Sequence, residues 1–349
     1  MFDPFDQEEE EASDQPRPPF PTPTGALLLT FGASFASLVV AVGLFEDIDL
    51  LALGVGEALG VGGVATIAAR WVPDPQAERI GLRGFSPRLV PLLLCLVPLV
   101  FLASELDNVG RALDGLLPDF GVEATSGDAG SADAGAADAP GSPPASDDAD
   151  AAVTPPADAD RAAAASTPEP AGDEHDSRAR DDTSPLAPVV ADAPEGWALV
   201  QIAIVTLGIS PIVEGFLFFG VILQGLVAWL GRGRGLLLTS CLYALIHAFG
   251  QTGGDAGVFQ ALAAIVSAIG MGVALGICRL STGSVLAPIL VDTSFKAVAL
   301  VAIAAPAALA IPGYNVGTDA HTPLSVLLPS LGIVAWGFWV LTRQEQTPS

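Results

Sequence analysis

The chain has 349 residues, a formal net charge of −25 and a positive mean hydropathy of +0.54. Its acidic residues are concentrated in the first fourteen positions and between Asp107 and Glu195, so the rest of the sequence is strongly apolar. The apolar part divides into runs of membrane-spanning length, which excludes a soluble acidic protein and predicts an all-α polytopic membrane protein; the acidity also argues against nucleic acid as a partner, because phosphate binding needs a basic surface.

Eight apolar runs predict eight transmembrane helices in a lipid bilayer. In chain order they cover about residues 25–45, 50–69, 89–104, 197–229, 236–250, 258–278, 284–304 and 324–341. The fourth run would be about 50 Å long as one helix, against a hydrocarbon core of about 30 Å. It is therefore expected either to tilt and protrude or to break near Gly208–Pro211, and a break would place Glu214 in the first turn of the following helix.

The polar segments divide the chain into two membrane parts. Residues 1–22 are acidic and predicted to be disordered, and residues 23–106 hold the first three helices. Residues 107–195 are rich in Ala, Asp, Pro, Gly and Ser, which predicts a disordered acidic linker. Residues 196–343 form a five-helix membrane domain, followed by a tail at 344–349. The acid-rich composition with a single lysine is typical of halophilic proteins.

The arginines predict the orientation of the chain. With eight spans and both termini in the cytoplasm, nine arginines face the cytoplasm and four lie on the outer side, all of them within residues 111–180. Cytoplasmic loops carry an excess of Lys and Arg. The pattern therefore predicts a multi-pass protein of the plasma membrane with cytoplasmic N- and C-termini.

Five ionisable side chains lie inside the predicted spans: Glu57, Glu214, His247, Asp292 and Lys296. Each is a functional candidate, because ionisable groups are rare and unfavourable inside a bilayer. Glu214 and His247 lie on adjacent spans and together could hold a water molecule and take its proton. Asp292 and Lys296 share a helix face, either as a neutralising ion pair or as a face that points at Glu214 and His247. Glu57 has no evident partner and is interpreted as a polar packing contact.

Three motifs in the second half resemble those of the CPBP intramembrane proteases, which include the CAAX prenyl endopeptidases and bacteriocin-processing enzymes. The family's Glu-Glu-x-x-x-Arg pattern after a proline resembles PIVEGFLFFG, and its Phe-x-x-x-His pattern resembles Tyr243 to His247. The family's third pattern, with a His and an Asn four residues apart, resembles STGSVLAPILVDTSFK. Order and spacing agree over about residues 211–296.

The resemblance implies roles for four residues. Glu214 corresponds to the first motif glutamate, which activates the attacking water in the family, and His247 corresponds to the first motif histidine. Asp292 and Lys296 stand where the family has a His and an Asn, which polarise the scissile carbonyl or bind metal. Lys296 could stabilise an oxyanion as a desolvated cation, which the anion of Asp292 could not do.

The implied function is that of an intramembrane endopeptidase acting on membrane-associated peptides or proteins. Gly215 and Phe219 stand where the family has a Glu and an Arg, so a catalytically inactive pseudoprotease that binds such substrates is an alternative. A small transporter or proton pathway is a third interpretation, since the same ionisable groups suit a proton relay. Glu214, His247 and Asp292 could also bind a divalent metal such as zinc, and a site without any cofactor is equally compatible with the sequence.

Overall fold

A computed structural model of the chain describes residues 18–45, 50–116, 196–251, 257–306, 309–317 and 320–344. Over these ranges the chain is almost entirely helical and forms no β-strand, so the prediction of an all-α polytopic membrane protein is confirmed. Residues 1–17, most of the predicted linker and residues 345–349 lie outside the described part of the chain.

Eight long helices, α1 to α8, account for most of the described residues. They are α1 Pro23–Leu44, α2 Leu51–Ala69, α3 Pro87–Asp114, α4 Trp197–Leu230, α5 Arg232–Gln251, α6 Val258–Thr282, α7 Leu286–Ala304 and α8 Leu324–Arg343. Seven of them are long and apolar enough to cross a membrane, and α5 is the exception.

Helix α5 contains the fifth predicted span but has a more polar composition, because it begins with Arg232 and Arg234. It nevertheless packs along its neighbours. A Cβ atom at Gly235 would lie 2.6 Å from the backbone nitrogen of Val227 in α4, and one at Gly272 of α6 would lie 2.9 Å from Cα of Ser240. Helix α5 therefore lies in close backbone contact with both α4 and α6.

Helix α3 is longer than the sequence predicted. The third span was expected to end near residue 104 and the linker to begin at 107, but the helix continues to Asp114. Asp107 forms a 3.4 Å ion pair with Arg111 one turn later. The Asp114 carboxylate accepts hydrogen bonds from the backbone N–H groups of Phe259 and Gln260, at 3.0 and 2.8 Å. The linker therefore does not begin at residue 107 as predicted, because Asp107 pairs within α3 and Asp114 binds the first turn of α6.

Helix α4 does not break at Gly208–Pro211. It is continuous, with two π-helical segments at Ile204–Ile209 and Gly215–Ile222 on either side of Ser210–Glu214. The wider turn before Pro211 accommodates the missing backbone N–H of the proline, which would otherwise interrupt the ladder of hydrogen bonds. Of the two possibilities that the sequence left open, the break is therefore not observed, and Glu214 does not lie in the first turn of a new helix.

Helix α4 supplies much of the buried core, including the fully buried Leu217, Phe218, Phe219 and Ile222. Helix α2 approaches α1 closely, because a side chain at Gly60 would overlap the backbone of Ser37. Close packing of this kind is typical of membrane helices with small residues at their interface.

At one end of the bundle, here called the arginine end, hydrogen bonds link several of the segments that connect or precede the helices. The backbone N–H of Val285 donates to the Gly81 carbonyl at 2.9 Å, and the Ser284 hydroxyl donates to the Arg83 carbonyl. The Trp229 indole donates to the Pro19 carbonyl at 2.8 Å. The arginines at this end, on helix termini or in the connections, are Arg70, Arg79, Arg83, Arg88, Arg232, Arg234, Arg279 and Arg343.

The opposite end, here called the acidic end, carries Glu105, Asp107 and Asp114 of α3. Glu105 accepts a hydrogen bond from the Thr322 backbone N–H at 2.7 Å and pairs with His321 at 2.8 Å. These contacts join α3 to the connection before α8. The two ends of the bundle thus differ in charge.

Candidate active site

The structure brings together the four side chains singled out in the sequence. Glu214 comes from α4, His247 from α5, and Asp292 and Lys296 from successive turns of α7. Their side chains are between 5% exposed, for Asp292, and 21% exposed, for Lys296. The cluster therefore lies largely inside the bundle, where ionised groups need partners.

Glu214 is contacted on both carboxylate oxygens. Its Oε1 accepts a hydrogen bond from the Ser210 hydroxyl at 3.0 Å and lies 3.5 Å from Nε2 of His247. Its Oε2 lies 3.2 Å from Nζ of Lys296. Ser210 is one turn before Glu214 in the short α-helical stretch between the two π-helical segments, so both side chains project from the same face of α4.

Lys296 is the central cation of the cluster. Its ammonium lies 3.0 Å from Oδ2 of Asp292, 3.2 Å from Oε2 of Glu214 and 2.8 Å from the Ser210 hydroxyl oxygen. An ammonium has three N–H donors, and these three contacts account for all of them. One lysine is therefore the shared cation of two carboxylates.

His247 is held in place by its own helix. Nδ1 lies 2.9 Å from the Tyr243 carbonyl, so an N–H on Nδ1 donates there and Nε2 faces Glu214. The Tyr243 ring lies beside the imidazole, with ring centroids 4.0 Å apart, and packs edge-on against Phe218. The imidazole orientation is thus fixed by a hydrogen bond on one side and an aromatic wall on the other.

Gly215 and Phe219, the two positions where the sequence departs from the motif that it resembles, are packing positions in the structure. A Cβ atom at Gly215 would lie 2.5 Å from Cγ1 of Ile289, so α7 leaves no room for a side chain there. Phe219 is 1% exposed and packs against Tyr243, and its backbone carbonyl accepts a hydrogen bond from Nε of Arg279 at 3.2 Å. Helices α4 and α7 therefore lie close together at Gly215, next to the contact between Glu214 of α4 and Lys296 of α7.

Sequence reasoning missed the place of Glu57. This residue begins the segment Glu57–Val61 of α2, which packs against Ser210–Glu214 of α4, and its Oε1 atom is buried with no hydrogen-bond partner among the described residues. The interpretation of an isolated packing contact arose because α2 lies far from the motifs in sequence. An acidic residue in a glycine-rich span was the available indication, since glycines let that helix approach its neighbours closely.

The cluster does not fit a metal site. In the part of the chain that the structure describes, no group of three or more His, Cys, Asp or Glu side chains is arranged to hold a metal ion. The Lys296 ammonium lies between the Glu214 and Asp292 carboxylates, where a divalent cation would have to bind. The alternative with Glu214, His247 and Asp292 as zinc ligands therefore disagrees with the geometry.

Comparison with known proteins matches part of the chain to a family model. Residues 196–298 match the model of the Type II CAAX prenyl endopeptidase Rce1-like family, a part of the CPBP family. The match confirms the resemblance predicted from the motifs and contains Glu214, His247, Asp292 and Lys296. It supports an intramembrane endopeptidase in general, whereas α1, α2, α3 and α8 lie outside it.

No curated protein matches the chain. No solved structure matches it either.

Proposed function

We propose that the protein is an intramembrane endopeptidase that hydrolyses membrane-associated peptides or proteins, with water activated by Glu214 and His247. The family match supports the reaction class. The observation that carries the proposal is the position of Glu214, which lies 3.5 Å from His247 on one oxygen and 3.2 Å from Lys296 on the other. Glu214 as the base and Lys296 as the cation therefore lie side by side in the same site.

Peptide hydrolysis needs a base for the water and a positive group for the oxyanion. Glu214 takes the proton of a water held between it and His247, and the oxygen of that water attacks the scissile carbonyl. Glu214 becomes neutral in this step, so Lys296 loses one of its two anionic partners. The ammonium then stabilises the oxyanion instead, while Asp292, at 3.0 Å, keeps the lysine in position.

A pseudoprotease is the second candidate, and one observation favours it. Both Glu214 oxygens are already engaged, by Ser210 and His247 on one side and by Lys296 on the other. A carboxylate whose two oxygens are both engaged in this way is less available to bind a water molecule. On this alternative the cluster stabilises the fold, and the protein binds membrane substrates without cleaving them.

We also propose that the protein resides in the plasma membrane with both termini in the cytoplasm. The arginine end of the bundle carries the first described residues near Pro19 and also Arg343 near the end of α8. The excess of arginine in cytoplasmic connections supports this orientation. The acidic end, with Glu105 and Asp114, would then face outward.

The test is hydrolysis of a library of membrane-tethered peptides by the full chain in liposomes, over salt concentrations from low to molar. We expect cleavage by the wild type and none by Glu214→Gln. The matched control is Glu78→Gln, because Glu78 is an exposed glutamate whose nearest cation is 3.9 Å away. Wild-type protein that binds peptides without cleaving them at any salt concentration would establish the pseudoprotease instead.

A further inference from the structure

Arg279 is a buried cation at the arginine end, and within the described residues it forms no ion pair. It lies in the last turn of α6 and is 8% exposed. Its Nε donates to the Phe219 carbonyl at 3.2 Å, and its Nη2 donates to the Arg79 carbonyl at 2.9 Å. Arginine is almost never buried to this degree unless its charge is paired. Two neutral carbonyl groups hold the side chain in place but do not neutralise it.

The guanidinium of Arg279 still has donors to offer. It carries five N–H groups, and the Phe219 and Arg79 carbonyls take one each. The other three form no hydrogen bond with the part of the chain that the structure describes. A planar guanidinium binds phosphate oxygens through two parallel N–H···O bonds. Arg279 therefore keeps enough donors for such a contact.

A second guanidinium, that of Arg83, lies beside the first. A Cβ atom at Gly81 would lie 2.5 Å from Nη2 of Arg279 and 2.8 Å from the carbonyl oxygen of Gly283. A Cβ atom at Gly283 would in turn overlap Nη2 of Arg83. The two arginines thus flank the same pair of glycines.

The two glycines hold this arrangement through their backbone. Gly81 has a φ of 81° and Gly283 a φ of 66°, in the left-handed region that favours glycine. The Gly81 carbonyl accepts a hydrogen bond from the Val285 backbone N–H at 2.9 Å, which ties the connection before α3 to the connection before α7. A side chain at either glycine would take the space that a guanidinium occupies. The site is therefore built by the fold rather than by flexible surface side chains.

Arg83 also lacks a close anion within the described residues. Its Nη1 lies 3.9 Å from Oε1 of Glu78, and both side chains are more than half exposed. An exposed ion pair at this separation contributes little to stability. Two neighbouring guanidinium groups repel each other, and one anion in contact with both would offset that repulsion.

The position of the site suits a phosphate. Helix α6 is long and apolar enough to cross a membrane, and Arg279 lies in its last turn, where such a helix reaches the polar headgroup region. Basic pockets between membrane helices bind the headgroups of phospholipids. The pocket shares no residue with the Glu214 cluster.

We propose that Arg83 and Arg279 together bind a phosphate group at the arginine end. Arg279 supplies a fixed guanidinium held by two main-chain carbonyls, and Arg83 supplies a second one from the solvent-exposed side. The phosphate belongs either to a phospholipid headgroup or to a soluble phosphate, since both present the same oxygens. The proposal does not depend on whether the protein is an endopeptidase.

The test measures the unfolding temperature of the delipidated full chain in dodecyl maltoside as a ligand is added. The probes are dioleoylphosphatidylglycerol in mixed micelles and inorganic phosphate, with dioleoylglycerol and sodium chloride of equal ionic strength as their controls. A ligand that binds the folded state raises the unfolding temperature with its concentration, which gives an apparent Kd. We expect at least one phosphate probe to stabilise the wild type beyond its control.

Three variants locate the binding site. In Arg83→Gln the apparent affinity for the stabilising probe should fall about tenfold, an effect typical of losing one charge-assisted hydrogen bond. Arg279→Lys keeps the charge but cannot form two parallel N–H···O bonds, so its affinity should also fall. Arg88→Gln is the matched control, because it removes the same charge from an exposed arginine of the same end and should bind as the wild type does. If Arg279→Lys does not fold, Arg83→Gln decides the question.

The outcomes distinguish the two sources of the phosphate. Stabilisation by phosphatidylglycerol without stabilisation by inorganic phosphate would identify a lipid headgroup, whereas stabilisation by both would show that a soluble phosphate reaches the site. Absence of stabilisation by either probe in the wild type would overturn the proposal. Equal losses in Arg83→Gln and Arg88→Gln would also overturn it, because they would indicate a general attraction of anions to the arginine end. Undiminished affinity in Arg83→Gln would do the same.

Discussion

At the scale of single residues, Lys296 is the cation that stabilises the buried carboxylates of the site. It is the one lysine of the sequence and contacts both Glu214 and Asp292. The two carboxylates depend on it unequally, because Glu214 also has Ser210 and His247 as partners, whereas Asp292 is 5% exposed and paired with Lys296. The ion pair within α7 and the contact between α7 and α4 are thus one connected network.

This network predicts unequal effects of removing its members. Lys296→Met leaves two buried carboxylates without their cation, whereas Asp292→Asn leaves Lys296 with Glu214. Breaking a buried pair costs about 3–5 kcal/mol, so we expect Lys296→Met to lower the free energy of unfolding by about that amount and Asp292→Asn by less. The double variant should lose less than the sum of the two single variants. Reversible unfolding in detergent measures all three.

Additive losses in the double variant would contradict the network, because they would mean that the two side chains do not interact. A conservative control is Lys296→Arg, which keeps the charge and should unfold closer to the wild type than Lys296→Met does.

At the scale of elements, α4 owes its shape to two π-helical segments and its position to a glycine. The segments Ile204–Ile209 and Gly215–Ile222 flank Ser210–Glu214, so the helix passes Pro211 without a break. At Gly215 the helix touches Ile289 of α7, 2.5 Å from where a Cβ atom would be. Because Glu214 immediately precedes Gly215, the separation of α4 and α7 at this point affects the contact between Glu214 and Lys296.

We therefore expect Gly215→Ala to destabilise the protein, with an overpacking cost of about 1–3 kcal/mol. Gly208→Ala is the matched control on the same helix, since a Cβ atom at Gly208 would meet nothing within 4 Å. That change should be neutral or slightly stabilising, as alanine is the better helix former. Thermal unfolding of both variants in detergent gives the comparison.

Shortening the facing side chain should reverse the effect. We expect Gly215→Ala to lower the unfolding temperature by less in a protein that carries Ile289→Ala than in the wild-type background. Equal destabilisation by the two glycine substitutions would show that α7 does not press on Gly215.

At the scale of the whole molecule, the described bundle has two ends of opposite character. The connections at residues 81–84 and 283–285 are joined by hydrogen bonds at the arginine end. Glu105 joins α3 to the connection before α8 at the acidic end. A bundle with this charge asymmetry is expected to insert with the arginine end in the cytoplasm.

Labelling of single cysteines tests the orientation. In a background without Cys95, Cys241 and Cys278, we expect Leu116→Cys to react with a membrane-impermeant thiol reagent in intact cells. Leu116 is 78% exposed and follows α3 at the acidic end. Gly84→Cys, at an open position of the arginine end, should react only after the membrane is permeabilised. The reverse pattern would invert the orientation.

The helices were predicted well from the sequence because a membrane span depends on local sequence alone, namely a long run of apolar residues. Sequence reasoning misplaced the end of α3, because acidic residues such as Asp114 were counted as linker composition although they stabilise helix ends through specific hydrogen bonds. It also left open whether α4 breaks near Pro211, because the compensating π-turn depends on packing around α4.

By itself the sequence determined the all-α membrane architecture and singled out Glu214, His247, Asp292 and Lys296, since an ionisable residue in an apolar run is conspicuous wherever it occurs. Only the tertiary structure decided how these residues are connected. It made Lys296 the shared cation of two carboxylates and packed the segment that begins with Glu57 against Ser210–Glu214, from a helix more than 150 positions earlier. The reason is that charge and hydropathy are properties of each residue, whereas a hydrogen bond depends on distances that only helix packing sets.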